Sequence, residues 1–169
     1  MRGGSARGSG GRAVRCPGLL PPKEEQDTVS PPSYLVERFY HEVWNLADET
    51  AAREILDPDF HFRGSLGPET RGPDGFIAYV RLIHAALSGF TCTIEDIIED
   101  GTRAAAKMRF AGRHSGTFFG VAPTGREIVW SGAAFFTTDA GRITALWVLG
   151  DVDAVKRQLG PRNNISHAP

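Results

Sequence analysis

The chain has 169 residues and a mass of 18.3 kDa, a size that suits one domain of ordinary length. Its 19 basic and 20 acidic residues give a net charge of −1, so no global charge recruits nucleic acid or an anionic membrane surface. No apolar run reaches the roughly 20 residues of a membrane span. The two cysteines, Cys16 and Cys92, have no metal-ligand spacing and make no disulfide framework, which predicts a reduced, cytoplasmic protein.

The first 32 residues differ in composition from the rest of the chain. They are dense in Gly, Pro, Ser and Arg and cannot bury enough apolar surface to offset their ordering entropy. We therefore expect residues 1–32 to be a disordered and dispensable extension, and their four arginines leave a transit segment or a nucleic-acid contact as alternatives. Residues 161–169 are expected to be a loose tail. The domain then spans 33–160, with a net charge of 13 − 17 = −4.

Three amphipathic helices are predicted first along the domain. Ser33 is the candidate N-cap of the first helix, whose apolar residues recur at helical spacing. Asp48 caps a short second helix, Glu49–Leu56. A third helix starts at Pro73, a residue that suits the first helical position, and ends at Ser88-Gly89.

After the third helix the hydrophobic period changes from helical spacing to alternation, which indicates strands. Asp100-Gly101 predicts a tight hairpin turn. Asp151 suits the N-cap of a terminal helix, Val152–Leu159, which Gly160 closes. Three helices, a four-stranded antiparallel sheet and this terminal helix make an α+β fold. The predicted strands are Phe90–Glu99, Arg103–His114, Glu127–Thr138 and Arg142–Leu149.

The segment Gly112–Arg126, GRHSGTFFGVAPTGR, carries a family resemblance. It resembles the strand–loop–strand signature of SnoaL-like polyketide cyclases, a branch of the nuclear transport factor 2-like superfamily. The resemblance covers residues 34–160 and implies a cone-shaped, curved antiparallel sheet wrapped around N-terminal helices, with an apolar interior pocket. Further matching pieces occur in the same order at Phe39–Asn45, Asp57–Phe60, Gly72–Gly75, Trp130–Gly132, Asp139–Ile143 and Arg157–Gly160.

The resemblance implies a class of chemistry, but this sequence departs from the family at the residues that carry that chemistry. Known members cyclise aromatic polyketide esters by an intramolecular aldol step, hydroxylate related compounds or have no assigned activity. The aldol members use a pocket carboxylate on the last strand as acid and base. A gapless alignment puts Val148 at that position and Leu146 where a histidine is common. Two hypotheses follow: a cofactor-independent cyclase, isomerase or hydratase, or a non-catalytic module that binds or stabilises a small molecule.

Three side chains are candidates for proton transfer. His114 matches the signature-loop histidine and suits either a proton carrier near neutral pH or a structural hydrogen bond. His61 lies on the same side as Arg63 if this stretch is extended, where the two form either a surface pair or part of the pocket mouth. Asp151 matches the late-strand aspartate of the family and also suits a helix cap.

The candidate substrate-binding residues favour an apolar ring system, with core packing as the alternative role of the aromatic ones. Arg63 stands about where relatives often have a histidine and adds a charge for an anionic or carbonyl-bearing ligand. We expect no metal and no cofactor, because no HxxxH, HExxH, CxxC or glycine-rich phosphate loop occurs. The candidates are Arg63, Trp44, Tyr79, Met108, Phe110, Trp130, Leu146 and Val148.

Two predicted strands are apolar on both faces. Ile128-Val129-Trp130 and Ile143–Leu149 have apolar residues at odd and even positions alike. Helices inside the cone cover only one face of the sheet, so the other would expose a large apolar patch. We therefore expect a homodimer built on the outer face of the sheet.

Overall fold

The structure, a computed structural model, describes residues 30–67 and 69–160. The expected extension over residues 1–29 and the expected tail over 161–169 lie outside the described residues. A π-helix, Phe39–Asn45, continues the first α-helix. In chain order the elements are α1 (Pro32–Arg38), the π-helix, α2 (Glu49–Ile55), β1 (Leu56–Arg63), β2 (Thr70–Arg71), α3 (Gly72–Ala86), β3 (Leu87–Asp100), β4 (Arg103–His114), β5 (Glu127–Asp139), β6 (Arg142–Gly150) and α4 (Val152–Leu159).

One sheet of six strands, in the order β2-β1-β6-β5-β4-β3, organises the described residues. Strands β1 and β6 run parallel and every other neighbouring pair is antiparallel. The α+β prediction is confirmed, but the sheet is mixed and has six strands rather than four. Strand β1 was not predicted because Pro58 interrupts its pattern of alternation. The register of β1 beside β6 shifts between Leu56 and His61, around that proline.

The start of the first helix differs from the prediction. Pro31, not Ser33, is the N-cap residue, and Pro32 is already buried within α1. The backbone N–H of Ser33 instead donates to Glu99 Oε2 at 2.8 Å, at the end of β3. Hydrogen bonding to Ser33, first through its side chain and then through its backbone N–H, lowers the pKa of the Glu99 carboxyl. The first helix therefore begins before residue 33, and it packs on the sheet.

Both predicted aspartate caps are confirmed. Asp48 Oδ1 accepts from the backbone N–H groups of Thr50 and Ala51 at 2.9 and 3.0 Å, which satisfies the free donors at the start of α2. Asp151 Oδ1 accepts from the N–H of Ala154 at 2.9 Å at the start of α4. The described ranges contain no helix that is both long and apolar enough to cross a membrane.

The boundary between α3 and β3 shifts towards the N-terminus. The Ser88-Gly89 pair, predicted to terminate the helix, lies inside β3, which begins at Leu87. Gly89 adopts φ +62°, and the β3–β4 register shifts between Ser88 and Thr91. The glycine therefore makes a bulge in a strand rather than a helix cap. The two are alike in the sequence, because both use the left-handed backbone region that glycine adopts readily.

The core lies between the helices and the inner face of the sheet. On β4, alternation buries Ala104, Ala106, Met108 and Phe110, while Lys107 and Arg109 are exposed on the outer face. This separation follows from the geometry of a strand, in which successive side chains point to opposite faces.

The π-helix is fixed to the edge strand β3 by a single side chain. Asn45 Nδ2 donates to the carbonyl of Cys92 at 3.0 Å, and the N–H of Cys92 donates to Asn45 Oδ1 at 2.7 Å. The amide thus replaces a neighbouring strand for one residue of the sheet edge. This double hydrogen bond sets the position of Tyr40 and Trp44, which lie on the same π-helix and are buried against the sheet.

Two shortened chains test where the domain begins. Removal of residues 1–29 is expected to leave the melting temperature unchanged, because their composition offers little apolar surface. Removal of residues 1–32 also deletes the cap Pro31 and the buried Pro32, and we expect a melting temperature lower by roughly 2–4 °C. Thermal unfolding beside the full chain measures both. Equal melting of the two shortened chains would show that this first turn contributes nothing.

Candidate functional site

An interior cavity of about 30 Å³ lies between the helices and the inner face of the sheet. This volume admits one or two water molecules, well below the roughly 300 Å³ of a typical small-molecule site. Any bulky ligand therefore needs a wall of the cavity to move. The lining residues are Tyr40, Trp44, Phe62, Gly64, Ser65, Leu66, Tyr79, Phe90, Phe110, Trp130 and Val148.

Aromatic rings form most of this lining. Trp44 packs edge-on against Phe90 at 5.4 Å between ring centroids, and Phe110 packs against Trp130 at 5.3 Å. None of the described residues that line the cavity carries a carboxylate, an imidazole or an ammonium group. The cavity as described can hold apolar surface and donate hydrogen bonds from hydroxyl and indole groups, but it offers no ionised base.

Five of the eight predicted substrate-binding residues line the cavity. They are the residues at inward positions on the π-helix, α3, β4, β5 and β6. Val148 is one of them, so the side chain at this position of β6 forms part of the wall of the cavity itself. The five are Trp44, Tyr79, Phe110, Trp130 and Val148.

The other three predicted binding residues lie elsewhere. Met108 and Leu146 point inwards but are packed in the core, with exposed fractions of 0% and 2%. Arg63 lies on the outer face of the sheet, where its guanidinium carbon is 5.5 Å from the centroid of the Trp147 ring. Alternation along β1 explains this, because Phe62 points into the cavity and its neighbours point away from it.

Two of the three proton-transfer candidates are on the surface. His61 shares the outer face with Arg63, and its Nε2 lies 3.1 Å from Glu69 Oε2. Asp151 is exposed at the start of α4, where its carboxylate accepts from Ala154. Neither side chain lines the interior cavity.

His114 is fully buried at the end of β4. Its Nδ1 accepts from the backbone N–H of Thr124 at 3.2 Å and lies 3.0 Å from the Thr124 hydroxyl. Because Nδ1 accepts an amide proton, the neutral ring is assigned its own proton on Nε2. The backbone of His114 also pairs with Arg126 and Gly125 across the loop. These bonds fasten the 115–126 loop to the sheet, and the ring does not line the cavity.

Sequence reasoning missed Tyr40. Its hydroxyl is buried and has no hydrogen-bond partner among the described residues, and burial raises its pKa well above the ordinary value. The available signal was its position four residues before Trp44 within an apolar helical stripe. Phe62, Phe90 and Ser65 were also missed, since their places on the wall depend on strand register and loop path.

The segment Gly64–Gly67 closes one side of the cavity. Ser65 Oγ accepts a hydrogen bond from the N–H of Gly150 at 3.0 Å, which ties the segment to the end of β6. A Cβ atom at Gly64 would lie 2.7 Å from a Phe62 ring carbon, and one at Gly67 would lie 2.9 Å from Tyr79. The backbone therefore rests directly on aromatic rings, which only glycine permits at this distance.

The family is shown by comparison with known proteins. The family model described as SnoaL-like polyketide cyclase matches residues 34–159, and the chain belongs to this family. None of the curated proteins compared matches the chain.

Solved structures agree on the fold. A putative SnoaL-like polyketide cyclase from Jannaschia sp. CCS1 is 21% identical with a TM-score of 0.70, covering 76% of this chain and 92% of that one. IdmH, a putative polyketide cyclase from Streptomyces antibioticus, is 27% identical with a TM-score of 0.68, covering 77% and 99%. A Catenulispora acidiphila protein with a ketosteroid isomerase-like fold is 15% identical with a TM-score of 0.65, covering 78% and 95%. The expected nuclear transport factor 2-like fold is therefore confirmed.

The fold is expected to lose stability above about pH 9. Burial raises the pKa values of Tyr40, Tyr79 and Cys92 above their ordinary values of 10.0, 10.0 and 9.0. Above these ordinary values the folded chain keeps protons that the unfolded chain releases, so the free energy of unfolding falls as pH rises. Denaturant titrations between about pH 8 and pH 11 measure this slope.

Two matched variants identify the groups responsible for the slope. Tyr40→Phe removes one buried phenol and is expected to flatten it. Tyr34→Phe removes the phenol of Tyr34, which is 49% exposed, and is expected to leave the slope as in the wild type. Identical slopes in all three proteins would contradict the assignment to buried groups.

Proposed function

We propose that the chain binds a bulky apolar small molecule in its interior cavity and acts on polyketide-like or other secondary metabolites. The activity would be that of a cyclase, isomerase or hydratase that needs no cofactor. The observation that carries this proposal is the aromatic wall of Trp44, Tyr79, Phe110 and Trp130 inside a SnoaL-like fold. Rings buried against such a wall gain roughly 25 cal/mol for each Å² removed from water.

Entry of a bulky ligand requires the Gly64–Gly67 segment to move. The cavity of about 30 Å³ is too small for fused rings, and this segment contributes Gly64, Ser65 and Leu66 to its wall. The Ser65–Gly150 hydrogen bond is the contact that such a movement must break. The ligand would replace the packing of Leu66 with its own apolar surface.

The residues that line the cavity favour chemistry in which no side chain of the wall gains or loses a proton. Val148 can neither remove a proton from the substrate nor return one. A catalytic role for His114 would require its bonds to Thr124 to break, and roles for His61 or Asp151 would require the ligand to reach the surface. We therefore propose catalytic roles for these three residues only in an enzyme whose cavity opens further than described.

A second candidate function is non-catalytic binding or stabilisation of the same class of molecule. It is favoured by the absence of ionisable groups among the described residues that line the cavity. A thermal-shift screen of apolar ring compounds, followed by chromatography and mass spectrometry of incubated hits, separates the two functions. A raised melting temperature with an unchanged compound favours binding, whereas a new product of equal or different mass shows an enzyme.

The wild type is expected not to cyclise an anthraquinone-type ester precursor by the aldol mechanism. The acid–base carboxylate is replaced by Val148, and general acid–base catalysis is typically worth about 10²–10⁴ in rate. Val148→Asp is expected to gain turnover, measured by product formation against pH. Val148→Asn is the matched control, because it adds a polar group of similar size without a titratable proton.

The outcomes of this experiment are distinct. Saturable binding of the ester without wild-type turnover supports a site that has lost its acid. Efficient wild-type turnover with a pH limb near neutrality would contradict the expectation and assign the proton transfer to another residue, with His114 and His61 as the first to be replaced.

We also propose that the protein is a homodimer that pairs through the outer face of its sheet. Large apolar side chains are exposed there: Phe135 by 47%, Trp147 by 41% and Leu149 by 53%. A groove of about 490 Å³ on this face is bordered by both signs of charge, including Arg103 and Glu99. In a dimer related by a twofold axis, the basic residues of one copy would face the acidic residues of the other. The same contact would cover the apolar centre of the face.

Light scattering at micromolar concentration is expected to give twice the chain mass of 18.3 kDa. Phe135→Glu places a charge in the centre of the proposed interface and is expected to give a monomer. Leu82→Glu is the matched control, because Leu82 is 63% exposed on α3, a helix on the opposite side of the sheet. A monomeric wild type would refute the proposed dimer.

A further inference from the structure

We infer that Asn45 is a positioning residue: its two hydrogen bonds to Cys92 hold the π-helix against the sheet, and their release lets this helix move into a second pocket behind it. The movement enlarges the interior cavity towards the volume that a bulky ligand needs. This inference rests on the proposed binding of a small molecule in that cavity, and it assigns control of the cavity volume to the π-helix.

The π-helix lies between two spaces of different size. Tyr40 and Trp44 line the interior cavity of about 30 Å³, whereas Val43 of the same helix lines an outer pocket of about 230 Å³. The outer pocket lies where the π-helix meets α2 and α3. Movement of the helix into this pocket therefore converts outer volume into interior volume.

The outer pocket offers apolar surface to the helix. Ile77 and Val80 of α3 line it, so Val43 keeps apolar neighbours after the movement. At the rim, Arg81 Nε donates to Glu49 Oε1 at 2.7 Å, which joins α3 to α2. These two helices therefore hold the shape of the pocket while the π-helix moves.

The end of the π-helix is strained. π-Helices are rare and are frequent at functional sites. Here the N–H of Leu46 donates to the carbonyl of His41, five residues back, at 3.2 Å. Ala47, which follows, has φ +52°, a left-handed conformation that costs alanine free energy. Rewinding with α-helical bonds, four residues back, would narrow the helix and rotate Trp44 away from its present contacts.

Side-chain hydrogen bonds hold this helix in place. Asn45 Nδ2 donates to the carbonyl of Cys92 at 3.0 Å, and the Cys92 N–H donates to Asn45 Oδ1 at 2.7 Å. On the outer side, His84 Nε2 donates to the carbonyl of Trp44 at 2.9 Å. Asn45 is half-buried, so water can take over its hydrogen bonds when the helix moves. The closed position is therefore favoured only by the net free energy of a few exchangeable hydrogen bonds.

Movement of the Gly64–Gly67 segment alone does not make this room. Trp44 packs against Phe90 at 5.4 Å and against Phe76 at 5.6 Å between ring centroids, which are contact distances for aromatic pairs. A ligand ring can pass between Trp44 and the sheet only if the π-helix moves away. The segment therefore controls the entrance, and the π-helix controls the volume.

The thiol of Cys92 reports the movement without any ligand. In a Cys16→Ser chain it is the one remaining thiol, and Cys92 is 5% exposed on β3. The rate at which it reacts with 5,5′-dithiobis(2-nitrobenzoic acid) measures how often this part of the fold opens. Asn45→Ala is expected to raise that rate roughly threefold to tenfold, the effect of one net hydrogen bond on the opening equilibrium.

Gln158→Ala is the matched control for the loss of these bonds. The Gln158 amide makes the same pair of hydrogen bonds with the main chain of Val129, at 2.7 and 2.9 Å, but it joins α4 to β5. Its removal is therefore expected to leave the labelling rate of Cys92 as in the parent chain. Val80→Phe fills the outer pocket and is expected to lower the rate below that of the parent.

Fluorescence titration with N-phenyl-1-naphthylamine, an uncharged fused-ring probe, connects the movement to binding. If only the enlarged cavity admits the probe, the apparent affinity rises with the population of that form. Asn45→Ala is expected to bind the probe roughly threefold to tenfold more tightly than the wild type. Val80→Phe is expected to bind it more weakly, and Gln158→Ala is expected to match the wild type.

The outcomes separate the inference from the proposed function. Equal labelling rates in Asn45→Ala and Gln158→Ala would overturn the inference, because the Asn45 bonds would then act only on global stability. Tighter probe binding in Ser65→Ala with no change in Asn45→Ala would also overturn it, since the Gly64–Gly67 segment alone would control the cavity. Faster labelling in Asn45→Ala without probe binding by any of the proteins supports the movement and contradicts the proposed binding function.

Discussion

The packing of Phe76 against aromatic rings from other elements is the interaction on which the rest of the fold depends. Phe76 is fully buried on α3 and joins the π-helix to β1, since its ring lies 5.6 Å from Trp44 and 4.9 Å from Phe62. The helices can only cover the sheet at the distance that these rings allow. The interior cavity is the space that remains beside this cluster, so its size and its aromatic character have the same origin.

This packing also explains the apolar character of the cavity wall. The wall residue Val148 continues the apolar surface of the cluster, and the lining groups able to donate a hydrogen bond are hydroxyls and indole N–H groups. The histidines have structural surroundings instead: His114 fastens a loop through Thr124, and His61 pairs with Glu69 on the outer face. Apolar side chains inside and charged side chains outside are therefore separated by the alternation of the strands.

Much of the fold could be predicted because its signals are local. The caps Asp48 and Asp151 act on backbone groups two or three residues away, and the faces of β4 follow from alternation alone. Strand β1 could not be predicted in this way, since its partner β6 lies about 80 residues further along the chain and Pro58 interrupts the pattern. Tyr40 was missed for a related reason: its unpaired hydroxyl is visible only once every neighbour is in place.

The sequence by itself determined the α+β class, the family resemblance and five of the residues that line the cavity. These depend on residue type and on spacing along the chain. Only the tertiary structure decided that Arg63 and His61 face outwards, that His114 holds a loop, and that Gly64–Gly67 closes a small cavity. The physical reason is that direction and closure depend on the register of β1 beside β6 and on aromatic packing between elements distant in sequence.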